Sequence, residues 1–261
     1  MEQEIRLDWL LKYLLEEYRE QGNIKTPENY AEKRALLRGL VNMRPPHPVT
    51  KEYIHIQDAF LTEEARQKGI VGLDDIPPCP ANGRISLWQG DITRLAIDAI
   101  VNAANSAMLG CFVPGHHCID NAIHTAAGVQ LREECYALMQ KQGHDEPTGT
   151  AKITSAYNLP CQHVLHTVGP IVKENPTKEQ AGELKLCYQS CLELAALSGI
   201  KTIAFCCIST GVFAFPKSYA AEIAVETVSS YLKQNVGIHR VVFNVFTEED
   251  VGTYKKLINI L

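Results

Sequence analysis

No apolar run in this chain approaches the roughly 18 residues that a helix needs to cross a bilayer, so a membrane span is not expected. The opening Met1-Glu2-Gln3-Glu4 is too acidic for the basic start of a secretory leader. Clustered positive charge is also missing. Lys and Arg are scattered, the formal net charge is -5, and nucleic acid is therefore not expected as a partner. There is no internal repeat and no low-complexity segment. Nor does the chain carry the even, regularly spaced cysteines of a disulfide framework: its nine Cys include the adjacent pair Cys206-Cys207 inside an apolar run. Buried free thiols in a reducing cytoplasm account for that usage.

The first eighty residues lack a strand pattern and read as helices. Leu7, Leu10, Leu11, Leu14, Leu15 and Tyr18 recur at helical spacing, and Gly22 is the expected stop. Thr26-Pro27-Glu28 predicts an N-cap with Pro in the first turn, opening a helix whose apolar face holds Ala31, Leu36, Leu37 and Leu40. Pro45, Pro46 and Pro48 close it, and a third helix is expected over 51–68, before Gly69. The leucine stripes are expected to pack on the rest of the protein. The Pro- and Gly-rich segment 74–83 is the best boundary, dividing a helical extension over 1–83 from a main domain over 84–261.

Beyond the boundary, strand-like and helical runs alternate. Strands are expected over 85–89, 99–103, 153–156, 164–168, 202–207 and 240–246. Helices are expected over 119–140, after the capping box Thr177-x-x-Gln180, over 218–234 and from Glu248. Strands separated by helices imply an α/β fold with a mostly parallel or mixed sheet covered on both faces. Ligands of such sheets bind beyond the carboxyl ends of the strands, so the loops that follow strands carry the chemistry.

Among these loops, the stretch from Leu109 to Asp120 places two Cys and two His within eight positions, in a turn made by Pro114 and Gly115. Cys111, His116 and Cys118 form C-x4-H-x-C, a donor set that suits Zn(2+). Three ligands from one loop leave a tetrahedral zinc an open position, as a catalytic metal requires. The alternatives are a structural zinc completed by a distant residue and a metal-free Cys-rich loop. His117 is the weaker ligand, since Cys118 follows it directly.

Three further loops are notable. Gly90-Asp91-Ile92-Thr93 offers a carboxylate, which is also a natural turn cap. Asn102, Asn105 and Ser106 put amide and hydroxyl groups at the same edge, suited to sugar hydroxyls. In Ile208-Ser209-Thr210-Gly211-Val212-Phe213, Gly211 permits close backbone approach to an anion ahead of a helix N-terminus.

Taken in order, Leu87–Thr93, Val101–Ser106, Ala122–Gly128, Val164–Pro170 and Ile208–Phe213 resemble the motifs of the macrodomain family, from about Ile85 to the C-terminus. The resemblance implies a three-layer α/β/α fold with a central mixed sheet that binds ADP-ribose. It assigns Asp91 to the adenine amino group, Ile92 to a backbone contact, Asn105 to the distal ribose, and Ser209, Thr210, Gly211, Val212 and Phe213 to the diphosphate. Cys118, Ile119 and Asp120 would line the same site. Where hydrolytic macrodomains commonly carry a glycine run, this chain has Cys111 to Cys118. That replacement and the helical extension resemble the zinc-dependent branch, associated with bacterial sirtuin-like ADP-ribosyltransferases. The resemblance implies a hydrolase that removes mono-ADP-ribose from an acidic side chain of a modified protein. Zinc would act as Lewis acid, Asp120 would orient or deprotonate water, and Asn105 would hold the sugar. Asp120 also stands where a helix cap would, and His124 and His166 are expected as satisfied core residues. The other reading is a non-catalytic ADP-ribose reader with a structural zinc.

Overall fold

The computed structural model describes residues 2–19 and 24–260. Helical spacing of leucines dictates its first unit. In α1 (Gln3–Glu17), Leu7, Leu10, Leu11 and Leu14 share one face and are buried against α2 (Tyr30–Met43) and α3 (Lys51–Lys68). Gly22, the expected stop, lies outside the described residues. The start of α2 falls later than Thr26-Pro27-Glu28 suggests, because Asn29 supplies the cap: its Oδ1 accepts from the Glu32 N–H at 2.8 Å. Asn caps at least as well as Thr, and Pro27 is left in the irregular lead-in. Leu37 and Leu40 are buried as expected, whereas Ala31 is exposed. Thr50 caps α3 through the Tyr53 N–H at 3.1 Å, and Gly69 ends it with φ +82.

The rest of the chain alternates. In order come β1 (Val71–Gly72), β2 (Pro78–Cys79), β3 (Asn82–Gln89), β4 (Leu95–Ala96), β5 (Ala99–Ala104), α4 (Ile119–Ala127) and α5 (Val129–Gln142). Then follow β6 (Ala151–Ser155), β7 (His163–Val168), α6 (Lys178–Leu197), β8 (Thr202–Phe205), α7 (Lys217–Gln234), β9 (Arg240–Val245) and α8 (Glu248–Ile258). The main sheet runs β2-β3-β9-β8-β5-β7-β6. Its five central strands are parallel, and β2 and β6 close the two edges antiparallel. This is the expected mixed sheet. The edge strand β2 comes from within the Pro-rich boundary segment, and β1 pairs with β4 in a separate ribbon. Three strands of two residues each carry too little pattern to be read from sequence.

Helices α4 and α5 pack over β5 and β6, while α6, α7 and α8 lie side by side and reach β6, β7 and β3. Residues such as Ile100, Val101, Val164, Ile203, Val241 and Val242 between these layers are fully buried. Thr177 and Gln180 form the expected capping box of α6. The N-terminal helices have a hydrophobic cluster of their own that takes in Val129 from α5. Among the described residues no helix is long and apolar enough to cross a membrane.

The helix expected over 119–140 is two helices, broken at Gly128 with φ +96 and ψ 177, a backbone conformation open essentially to glycine alone. A Cβ on Gly128 would also lie 2.5 Å from Gln57 Nε2. Gln57 is buried and accepts the Val129 N–H at 3.1 Å, so it has little freedom to retreat. Gly128→Ala is therefore expected to lose about 2 kcal/mol or more of stability. The urea midpoint of the variant checks this, and an unchanged midpoint would show that the break is not strained.

Candidate active site

Because β3, β5 and β8 run parallel, their carboxyl ends bring Asp91, Asn105 and Ser209–Phe213 to one edge of the sheet. Asp91 is half-buried and caps the turn after it, with Oδ1 accepting from the Thr93 N–H at 3.0 Å and the Thr93 hydroxyl at 2.7 Å. The capping role is thus real and uses Oδ1 alone. Ile92 beside it is buried.

The 208–216 loop is held by its own bonds. The Thr210 N–H donates to Cys207 O, Ala214 N–H to Gly211 O, and Phe215 N–H to Ser209 O. The N–H groups of Gly211, Val212 and Phe213 have no partner among the described residues, which leaves a row of donors open to an anion. The left-handed backbone falls on Ser209 (φ 64) and Ala214 (φ 55), not on Gly211. A Cβ at Gly211 would meet nothing of the protein within 4 Å, so neither backbone conformation nor packing within the protein requires glycine there. The Ser209 hydroxyl is buried without a partner.

The Leu109–Asp120 stretch gathers its donors. The ligand atoms of Cys111, His116 and Cys118 lie within 4.8 Å of one another, with Cys111 Sγ 3.5 Å from His116 Nδ1. Zinc bonds of about 2.3 Å to sulfur and about 2.0 Å to nitrogen put tetrahedral ligand atoms about 3.3–3.8 Å apart, so the set fits the ion after a small contraction. His117 is exposed and outside the cluster. Burial pushes the Cys118 thiol up to about 11, with the Cys111 thiol beside it acting in the same direction. A coordinated cation reverses that preference and takes the thiol as thiolate.

Cys118, not Asp120, caps α4: its Sγ accepts the Asn121 N–H at 3.4 Å. Asp120 is thereby free to turn inward, where Asn102 Nδ2 donates to Oδ1 at 2.8 Å and Asn105 Nδ2 to Oδ2 at 3.4 Å. Asn105 also donates to Gly110 O at 3.1 Å, tying the carboxylate to the base of the Cys/His loop. The carbonyl oxygens of both Asn side chains are buried and unpartnered. Burial pushes the Asp120 carboxyl up to about 6 against the pull of Asn102.

Behind Asp120, His166 is a satisfied core histidine as expected, with Asn102 Nδ2 at 3.2 Å from Nδ1 and Thr154 Oγ1 at 3.0 Å from Nε2. His124 is not. Both its ring nitrogens are buried without a hydrogen bond, and Nε2 stands 3.6 Å from Asp120 Oδ1.

The sequence offers Asn102, with Asn105 and Ser106, to sugar hydroxyls, but Asn102 is fully buried and its Nδ2 faces Asp120 and His166; the sequence assigns no role to Asn121. Asn121 is fully buried, and its Nδ2 donates to Val113 O at 3.2 Å and Cys111 O at 3.5 Å. Its position three residues past Cys118, at the helix start, is the one local signal that could have found it.

Burial holds the His166 imidazole down to about 4. Its contribution to stability is present above the ordinary value near 6.5 and lost as pH falls to about 4, in total about 3 kcal/mol. The neighbouring His124, also held low, adds to this loss, while Asp120, held high, opposes it. Comparing His166→Gln with the wild type isolates the His166 part. The stability gap between them should narrow between about pH 7 and about pH 4.5 in urea melts. A constant gap would mean that His166 does not titrate there.

Comparison with known proteins places this geometry. The Macro domain family model matches residues 101–224. A protein-ADP-ribose hydrolase of Treponema medium is 53% identical over 261 residues, spanning 99% of this chain and 100% of that one. A probable bifunctional ADP-ribose hydrolase/ADP-ribosyltransferase of Fusarium oxysporum f. sp. cubense is 44% identical, over 87% of this chain and 41% of the relative. Among solved structures, a Trypanosoma brucei macrodomain in complex with ADP-ribose superposes with a TM-score of 0.67 at 30% identity, covering 81% of this chain and 92% of that one. With the sheet order, the loop at the end of β8 and these full-length similarities together, the chain belongs to the macrodomain family.

Proposed function

We propose that this protein is a zinc-dependent protein-ADP-ribose hydrolase that removes mono-ADP-ribose from an acidic side chain. The observation that carries the reading is the juxtaposition of a buried carboxylate, Asp120, with the thiol and imidazole cluster of Cys111, His116 and Cys118, with Asn105 bonded both to Asp120 and to Gly110, the residue before Cys111. The hydrolase name of the Treponema medium relative supports it over full length.

Each part of the site has work to do on ADP-ribose. Asp91 receives the adenine amino group and Ile92 offers its backbone. The open N–H groups of Gly211, Val212 and Phe213, with Ser209 and Thr210, wrap the diphosphate. Asn105 Oδ1 has an unused acceptor capacity that a distal-ribose hydroxyl would take up once the loop around it opens. Cys111, His116 and Cys118 would hold a zinc ion, which when bound would supply Lewis-acid polarisation. Asp120 orients or deprotonates the attacking water. With its carboxyl at about 6 it is ionised at neutral pH yet a better proton acceptor than an ordinary Asp.

The acidic linkage follows from the leaving group. Glycoside cleavage usually employs two carboxyl groups, one of them to protonate the departing oxygen. Asp120 is the buried carboxylate beside this cluster, and a departing Asp or Glu carboxylate needs no proton. The modification removed is one that a transferase, sirtuin-like on the resemblance, installs. The Fusarium relative, whose name joins both activities, supports that pairing. Nine free thiols suit a reducing cytoplasm.

Incubation with ester-linked mono-ADP-ribosylated protein should release free ADP-ribose with turnover, and a Ser- or Arg-linked substrate should not react. Stoichiometric retention without release would identify a reader module instead. Cys111→Ala, His116→Ala and Cys118→Ala should each drop bound zinc well below one equivalent and suppress release, while His117→Ala retains both; the loss should deepen at lower pH as protons compete for the ligands. Mutants that lose zinc but keep turnover would make the metal structural. Asp91→Ala should weaken ADP-ribose binding by about 1–3 kcal/mol in calorimetry, and unchanged affinity would remove Asp91 from the site.

A further inference from the structure

Among the described residues, the hydrogen bonds from the N-terminal helices to the Cys/His loop come from α2. Arg38 donates from Nη2 to His116 O at 2.9 Å and to Asn121 Oδ1 at 2.8 Å, and from Nε to Asn121 Oδ1 at 3.2 Å. One turn further along α2, Asn42 Oδ1 accepts the Gly115 N–H at 3.0 Å. Gly39 lies between them and brings the helix against Pro114, with its Cβ position 3.7 Å from Pro114 Cβ. Asn121 passes the constraint on to Cys111 O and Val113 O, and its own N–H binds Cys118 Sγ. The loop is thus gripped at Cys111, Val113, Gly115, His116 and Cys118.

Among the described residues Arg38 makes no ion pair with a carboxylate. An ordinary stabilising arginine in this bundle looks different: Arg34, one turn earlier on α2, forms a bidentate pair with Glu64 at 2.6 and 2.8 Å and makes no hydrogen bond to the loop among the described residues.

We propose that α2 is part of the metal centre, with Arg38 and Asn42 as positioning residues that hold Cys111, His116 and Cys118 in a metal-ready arrangement. The inference rests on the metal reading of that cluster. Without the clamp the loop must be ordered by the ion itself, and the ordering entropy is subtracted from the binding free energy. Partners that orient metal ligands commonly matter by about 10- to 100-fold in metal affinity.

The test is titration of the full-length, metal-stripped protein with cobalt(II), read by its thiolate charge-transfer absorption, alongside thermal melts. Arg38→Met should weaken cobalt binding about 10- to 100-fold, and Arg38→Lys, which keeps one donor, should fall between it and the wild type. Arg34→Met should lower the melting temperature and leave cobalt affinity within about twofold, a divergence that a purely structural role for α2 does not produce. If Arg38→Met does not fold, Asn42→Leu carries the same expectation. Wild-type affinity in Arg38→Met, or affinity that tracks the melting temperature through both arginine variants, overturns the proposal while the metal reading stands. Absence of cobalt binding by the wild type removes the metal reading, and the proposal with it.

Discussion

The side chain of Asn121 is the contact on which the active-site arrangement depends. It is fully buried, and its carboxamide bonds to Cys111 O and Val113 O of the Cys/His loop on one side and to Arg38 and Thr125 on the other. Each such bond is worth only about 0.5–1.5 kcal/mol net, but removing the amide takes away the partner of two loop carbonyls and of Arg38 at once. The loop itself contributes little to its own order: Phe112, Val113, Pro114 and His117 are exposed. A polar hub at the start of α4 therefore does what a hydrophobic core does elsewhere.

The second constraint is the sheet. Five parallel strands force every following loop to the same edge, so residues more than a hundred positions apart, such as Asp91 and Phe213, become parts of one cleft. The same geometry puts Asn102 on β5 directly opposite His166 on β7, in register, beneath that cleft. The Asn102–His166 part of the buried polar network under Asp120 is thus a product of strand pairing.

How legible this was in sequence depended on range. The alternation of apolar runs, the capping box of α6 and the limits of α3 are local properties, and they were read correctly. The Cys/His cluster was legible for the same reason, since all three donors come from eight consecutive positions. Gly128 was passed over because the apolar period continues across it, although its positive φ breaks the helix. Thr26-Pro27 and Asn29 are equally good caps by type, and the choice of Asn29 is settled by tertiary packing of α2. Arg38 and Asn42 carry no local signal, because their partners lie 83 and 73 residues away, and Asn102 is legible as part of a motif but not as the buried partner of Asp120. Asp120 was ambiguous between cap and catalyst until Cys118 proved to hold the capping position.

That exchange of roles has an electrostatic consequence. A carboxylate at a helix start ordinarily spends its charge on backbone N–H groups. Here a sulfur takes that duty, and the carboxylate is enclosed with two asparagines and two histidines. Burial acts on all the titratable groups at once, but with opposite sign: it raises the acid and lowers the bases. With Asp120 at about 6 and His166 at about 4, the carboxylate is charged and His166 neutral at neutral pH, and His124 is held neutral by the same burial. Neither histidine offers a cation to quench the negative charge of Asp120, and the buried Arg132 guanidinium is the positive group that favours it. A group so placed is suited to taking a proton from water delivered at the loop, because the donors around it stabilise the anion only in part and leave its basicity above that of a solvated Asp.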